Sequence, residues 1–133
     1  MTDSQDIVTV LVVDDEVFVA FEMADILAEL GFEVVGPALT ADDAERLATD
    51  TKLDAAFLDV NLGAGSTSEP VAKVLRARGI PFIFITAYSA DQITFRTSDE
   101  RVLQKPVTSR KVIEALKAAL PDLATEDLDS KLT

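Results

Sequence analysis

The sequence predicts a doubly wound α/β domain, a five-stranded parallel sheet with helices on both faces. Two observations carry this. Three short apolar runs lack the polar alternation of a strand with one wet face, two further short stretches can complete a sheet, and stretches of helical periodicity opened by caps stand between most of the five. Strands alternating with helices at short spacing form β-α-β units with right-handed crossovers.

The first run, Ile7 to Val13, is nearly all β-branched and too short for a typical helix, which suits a strand buried on both faces. From Val17 the period changes. Met23, Ile26, Leu27 and Leu30 recur at i, i+3, i+4 and i+7, and Gly31 follows where a left-handed cap would sit. Phe32 to Gly36 reads as a second strand, ended by Pro37. Thr40 then caps a helix whose first turns carry Asp42, Asp43 and Glu45, running to about Thr49.

Ala55 to Asp59 repeats the buried composition and ends in a carboxylate. Gly63, Gly65, Ser66, Thr67 and Ser68 form a loop, and Pro70 suits the first turn of a helix with Val71, Val74 and Leu75 that closes at Gly79. Phe82 to Ile85 is a fourth buried run, ending at Thr86. Ser89 to Glu100 is polar with weak periodicity, so a helix there is short or irregular. Arg101 to Gln104 supplies the last strand. Thr108 caps a helix with Val112, Ala115, Leu116 and Ala119 on one face, stopped by Pro121. The reading divides the chain into a tail (1–6), one domain (7–120) and an acidic tail (121–133).

The composition narrows the chemistry. With 133 residues, 48% apolar and 27% charged, and only five Gly and five Pro, the chain suits one globular domain. Twelve basic against 24 acidic residues give a net charge of -12, which repels nucleic acid and anionic membranes. There is no cysteine and no histidine. Disulfides, thiolate metal sites and imidazole catalysis are excluded, and chemistry must run on carboxylates, hydroxyls and amines. The N-terminus lacks a basic region, and no apolar run approaches the roughly 18 residues that would span a bilayer. A soluble, cytoplasmic protein is expected.

In open parallel sheets the ligand crevice lies beyond the C-terminal strand ends, where strand order reverses. The polar residues fall there: Asp14, Asp15 and Glu16 after the first strand, Asp59 at the third, Thr86 at the fourth, Lys105 after the fifth. Alone, an acidic pair is more often a solvated turn, and a lone lysine a surface charge. Four strands delivering the three aspartates, a hydroxyl and an ammonium to one edge form a site. Clustered carboxylates call for a cation, and oxygen ligands alone favour a hard one such as Mg2+. Asp59 is then placed as a nucleophile toward phosphorus, with Lys105 neutralising phosphoryl oxygens and Thr86 donating to them.

Val12-Val13-Asp14-Asp15-Glu16, Phe57-Leu58-Asp59-Val60-Asn61, Ile85-Thr86-Ala87 and Gln104-Lys105-Pro106 resemble the response-regulator receiver family over about residues 7 to 120. The resemblance implies a flavodoxin-like strand order 2-1-3-4-5 and a single-domain response regulator in a two-component phosphorelay. Asp59 would take a phosphoryl group from a sensor histidine kinase, a histidine phosphotransfer protein or a small donor, and lose it to water. It further implies Mg2+ contacts from Asp15, Asp59 and the Asn61 carbonyl, with Asp14 acting through water, and a cis Lys105-Pro106 bond. Ala87 would leave room for the phosphoryl group. A monomer or weak dimer is expected. With no output module after Pro121, the protein would serve as a switch, shuttle or phosphate sink.

The sequence departs from the family's commoner pattern in three places. Val102 stands where a switching aromatic is usual, with Tyr88, two residues after Thr86, as the alternative switch residue. The stretch between Thr86 and Lys105 is short. Leu62-Gly63-Ala64-Gly65 lacks the usual proline. Phe84-Ile85-Thr86-Ala87-Tyr88 resembles most a subgroup of stand-alone receivers linked to stress and light signalling in alphaproteobacteria.

Val17, Phe18, Val19, Ala20 and Phe21 are consecutive, so they cannot all face the sheet. Val17, Phe18 and Phe21 are the expected kinase docking residues, with scattered surface hydrophobes as the plain alternative. Two competing functions stand beside the receiver. An aspartyl-nucleophile phosphatase of small phosphoesters commonly has a second Asp two residues on, where this chain has Asn61. A flavodoxin-like cofactor binder needs a hydroxyl- and Gly-rich phosphate loop, where Asp14-Asp15-Glu16 would repel the phosphate.

Overall fold

The computed structural model describes residues 7–87, 92–97 and 99–123. The elements are β1 (Thr9–Val13), α1 (Val17–Glu29), β2 (Glu33–Ala38), α2 (Ala41–Asp50), β3 (Ala55–Asp59), α3 (Glu69–Arg78), β4 (Phe82–Thr86), β5 (Arg101–Gln104) and α4 (Ser109–Ala119). All strand pairs are parallel and the sheet order is β2-β1-β3-β4-β5. The winding therefore reverses at β1, which lies between β2 and β3, and the crevice opens beyond the C-terminal ends of β1 and β3.

Strand alternation sorts the apolar residues into two cores. Leu11, Val13, Ala56, Leu58, Phe82 and Phe84 point to one face and pack with Ala44, Ala48, Val71, Ala72 and Leu75 of α2 and α3. Val10, Val12, Ala55, Phe57, Ile83, Ile85 and Leu103 point to the other and meet Met23 and Leu27 of α1 and Val112, Ile113 and Leu116 of α4. Phe57 and Phe84 are fully buried on opposite faces. Burying a side chain of this size contributes about 1.5–3 kcal/mol, so both layers of helices are held by the sheet they cover. The α4 face differs by a position from the expected one: Ile113 is buried, whereas Ala115 and Ala119 are half-buried. Ile26 is likewise only half-buried on α1.

The helix starts follow the capping chemistry. The Asp43 N–H donates to Thr40 Oγ1 at 3.2 Å, and the Lys111 N–H to Thr108 Oγ1 at 3.2 Å. One boundary differs from the sequence expectation. β2 does not stop at Pro37 but runs to Ala38, with its pairing to β1 irregular between Leu11 and Val13. β2 is an edge strand, where a missing N–H costs no ladder bond. Gly36 has φ +96, and an added Cβ would lie 2.7 Å from Ala38 N and 3.0 Å from Val12 O. Only glycine fits this bulge. The Gly36-Pro37 and Lys105-Pro106 peptides are both cis.

Among the described residues between β4 and β5 there is no α-helix; Gln92 is in a 3-10 conformation and the rest are turns and irregular backbone. This stretch is pinned to α3 by one side chain. Arg76 Nε donates to Glu100 Oε2 at 2.6 Å, while Nη2 donates to Glu100 Oε1 at 2.7 Å and to the Phe95 carbonyl at 2.6 Å. The guanidinium also stands over the Phe82 ring at 5.6 Å, and Phe95 meets Phe84 edge-on at 5.5 Å. Burial works to raise the Glu100 carboxyl, but hydrogen bonds from Arg76 and Thr97 outweigh it and hold the group below its ordinary value. At the other edge of this region Lys111 Nζ donates to the carbonyls of Gln104 at 3.0 Å and Pro106 at 2.9 Å.

Candidate functional site

β1 and β3 are neighbours in register, with Val13 opposite Leu58. Each ends one residue on in an aspartate, so Asp14 and Asp59 are brought together by the pairing itself. Asp15 follows, and one carboxylate oxygen from each of Asp14, Asp15 and Asp59 lies within 4.8 Å of the others. Asp14 and Asp59 are buried and Asp15 half-buried. The Glu16 N–H donates to Asp14 Oδ1 at 2.9 Å, which fixes that side chain at the entry to α1.

Lys105 reaches the cluster from the end of β5. Its Nζ lies 3.3 Å from Asp14 Oδ2, 3.6 Å from Asp59 Oδ1 and 2.6 Å from Glu16 Oε1. Burial works to lower the ammonium, yet the hydrogen bond to Glu16 and the fields of Asp59 and Asp14 raise it above its ordinary value. It stays charged. Its backbone N–H donates to the Thr86 carbonyl at 2.8 Å, tying the ends of β4 and β5. Glu16 had no role assigned from sequence. An exposed acid beside an acidic pair gives no signal of a lysine 89 residues away.

One lysine does not balance this much negative charge. Burial first, then the field of Asp14, push the Asp59 carboxyl up to about 8 against the lowering field of Lys105. Asp14 Oδ2 is buried without a hydrogen-bond partner, although Lys105 stands at ion-pair distance. The 3.3 Å approach supplies attraction without hydrogen-bond alignment, which leaves that oxygen's lone pairs open. An orphaned carboxylate oxygen among three acids is what a hard divalent cation would satisfy, so the donor set fits Mg2+.

The remaining residues take their places around this cluster. Thr86 is buried at the end of β4, and Ala87 follows it exposed. Asn61 stands two residues beyond Asp59, exposed and bridged to Thr67. Val102 pairs with Phe84 and packs half-buried on the α2/α3 side of the sheet. Pro106 is exposed. Tyr88 lies outside the described residues. Away from the carboxylates, Phe18 is 91% exposed and Val17 and Phe21 are each 50% exposed. They line a groove of about 630 Å³ along α1 with Glu22, Asp25, Ile26 and Glu29.

A doubly wound sheet with this acidic cluster and lysine at its switch point defines a class, and comparison with known proteins agrees. The family model described as response regulator receiver domain matches residues 10–117. The chain belongs to the response-regulator receiver family. It is 28% identical over 114 residues to the transcriptional regulatory protein PdtaR of Mycobacterium tuberculosis, covering 84% of this chain and 56% of that protein. It is 30% identical over 114 residues to the phyllosphere-induced regulator PhyR of Methylorubrum extorquens, covering 84% and 43%. The chain thus spans about half the length of the curated relatives it matches. The solution structure of SdrG from Sphingomonas melonis Fr1 superposes with a TM-score of 0.77 at 42% identity, covering 90% of this chain and 99% of that one. Among the described residues no helix is long and apolar enough to cross a membrane.

Proposed function

We propose that this receiver domain is a cytoplasmic phosphorylation switch in which Asp59 accepts a phosphoryl group from a sensor histidine kinase or a histidine phosphotransfer protein. The observation that carries the proposal is the meeting of Asp14, Asp15 and Asp59 within 4.8 Å, with Lys105 in reach of two of them.

In the forward step an Asp59 carboxylate oxygen attacks phosphorus, a P–O bond forms, the donor's P–N bond breaks, and the leaving imidazole takes up a proton. With acetyl phosphate the bond broken is P–O and the leaving group is acetate. Attack of water on the phosphorus later returns the carboxylate and inorganic phosphate. Asp15, Asp59 and the Asn61 carbonyl are the proposed ligands of Mg2+, with Asp14 acting through water. Bound there, the ion supplies electrostatic stabilisation of the phosphoryl oxygens. Lys105 holds a positive charge at the same oxygens, and Thr86 is placed to donate a hydroxyl hydrogen bond.

The kinase is proposed to dock on the α1 groove, where the apolar floor of Val17, Phe18 and Phe21 is flanked by Glu22, Asp25 and Glu29. An acidic rim selects a partner helix with apolar and basic residues. The test is intact mass after incubation with Mg2+ and acetyl phosphate. The parent is expected to gain one phosphoryl group and Asp59→Asn none. Phe21→Glu is expected to slow transfer from the kinase about tenfold or more while keeping the parent's rate with acetyl phosphate. A parent whose mass is unchanged by both a phosphorylated kinase and the small donor would refute the proposal.

A further inference from the structure

Two glycines in the loop between β3 and α3 share one backbone conformation and differ in what stands beside them. Gly63 has φ +79, and an added Cβ would lie 3.0 Å from Asp15 Oδ2. Gly65 has φ +80, and an added Cβ would meet nothing within 4 Å. The loop cannot easily swing away from Asp15. Ser66 N donates to the Gly63 carbonyl at 2.8 Å, Leu62 N to the Ser66 carbonyl at 2.9 Å, and Asn61 bridges to Thr67. Contact at 3.0 Å is therefore relieved by displacing the Asp15 carboxylate, which belongs to the acidic cluster.

Displacement of one ligand by a fraction of an ångström does not cost all cations equally. Mg2+ requires a near-ideal octahedron with oxygens at about 2.0–2.1 Å, whereas Ca2+ accepts a pliant shell at about 2.3–2.6 Å. We propose that Gly63 is a specificity-determining residue of the cation seat: the missing side chain leaves the Asp15 carboxylate where a small octahedral ion is preferred. A Cβ at this position shifts the preference from Mg2+ toward Ca2+. The proposal rests on reading the cluster as a divalent-cation seat.

The experiment is calorimetric titration of the full chain with MgCl2 and, separately, CaCl2, for the parent, Gly63→Ala and Gly65→Ala, with folding checked by circular dichroism. Both substitutions strain the backbone alike, so Gly65→Ala is the control for strain. Gly65→Ala is expected to bind Mg2+ like the parent, whereas Gly63→Ala loses about tenfold in Mg2+ affinity and clearly less in Ca2+ affinity. Equal Mg2+ affinity for Gly63→Ala and the parent, equal losses in the two glycine variants, or equal losses of the two ions would each overturn the proposal. Where Gly63→Ala impairs folding more than Gly65→Ala does, Asp15→Ala in the same chain is expected to remove that excess by removing the crowded group; an undiminished excess would again overturn the proposal. A parent that binds neither ion sinks the cation-seat reading itself, an outcome distinct from a parent that binds Mg2+ and a Gly63→Ala that binds it equally.

Discussion

Two charged clusters in this fold use the same side-chain chemistry and reach opposite states. At Arg76 and Glu100 one cation meets one anion through two parallel hydrogen bonds, a third donor bond goes to Phe95, and the carboxyl titrates below its ordinary range. At the head of the sheet one lysine faces Asp14, Asp59 and Glu16, an oxygen is left without a partner, and a carboxyl is pushed up to about 8. The first cluster is complete as it stands and fixes a segment. The second is short of positive charge, which marks it as a place for something to bind.

The sharpest way to test this contrast is stability against pH without divalent ions. Asp59 has its ordinary value of 3.8 in the unfolded chain and about 8 in the folded one. Between these values the folded protein holds a proton that the unfolded chain has lost, so stability falls as pH rises through the window and levels off above it. Asp59→Asn removes the titration. Parent and variant are expected to differ least near pH 4, with the variant ahead by several kcal/mol by pH 9, since the Asp59 carboxyl is pushed from 3.8 up to about 8 on folding. Mg2+ is expected to stabilise the parent and narrow the gap. A gap independent of pH, read from urea unfolding, would contradict the picture.

A somewhat smaller effect is expected at the balanced pair. Arg76→Ala leaves a mostly buried carboxylate unpaired and should cost about 2 kcal/mol at neutral pH. Because the Glu100 carboxyl is held low, that stabilisation is present above its ordinary value of 4.5 and disappears as pH falls through its folded value. The cost of Arg76→Ala should therefore shrink in acid, the reverse of the Asp59 trend. Smallest of all is Lys73→Ala. Its partner Glu69 is 3.9 Å away with both side chains well exposed, so the unfolding free energy from urea titration is expected to change by less than about 0.5 kcal/mol.

The same contrast explains what could be read from the chain. The three central strands β1, β3 and β4 were legible because a strand buried on both faces is apolar at nearly every residue, and the residues that end those runs, Asp59 and Thr86 among them, fall at one edge. Helix starts were legible because Thr40 and Thr108 act within three residues of themselves. Pro37 misled because proline's lost donor matters only inside a sheet, and edge position is a property of the whole fold. The Arg76–Glu100 pair and the Lys105–Glu16 contact join residues 24 and 89 positions apart. Neither leaves a local pattern. The closeness of Gly63 to Asp15 is equally silent, since it depends on how a loop from one strand lies over the end of another.

An open sheet has two rims that a foreign strand could extend. Here Pro37 sits in one outermost strand, while the Lys111 ammonium occupies the Gln104 carbonyl of the other. Stacking of copies edge to edge into fibres would have to displace a cation on one side and accommodate a proline without an N–H on the other. Among the described residues, each margin of the sheet is thus guarded against a foreign strand by one side chain, Pro37 on β2 and Lys111 beside β5.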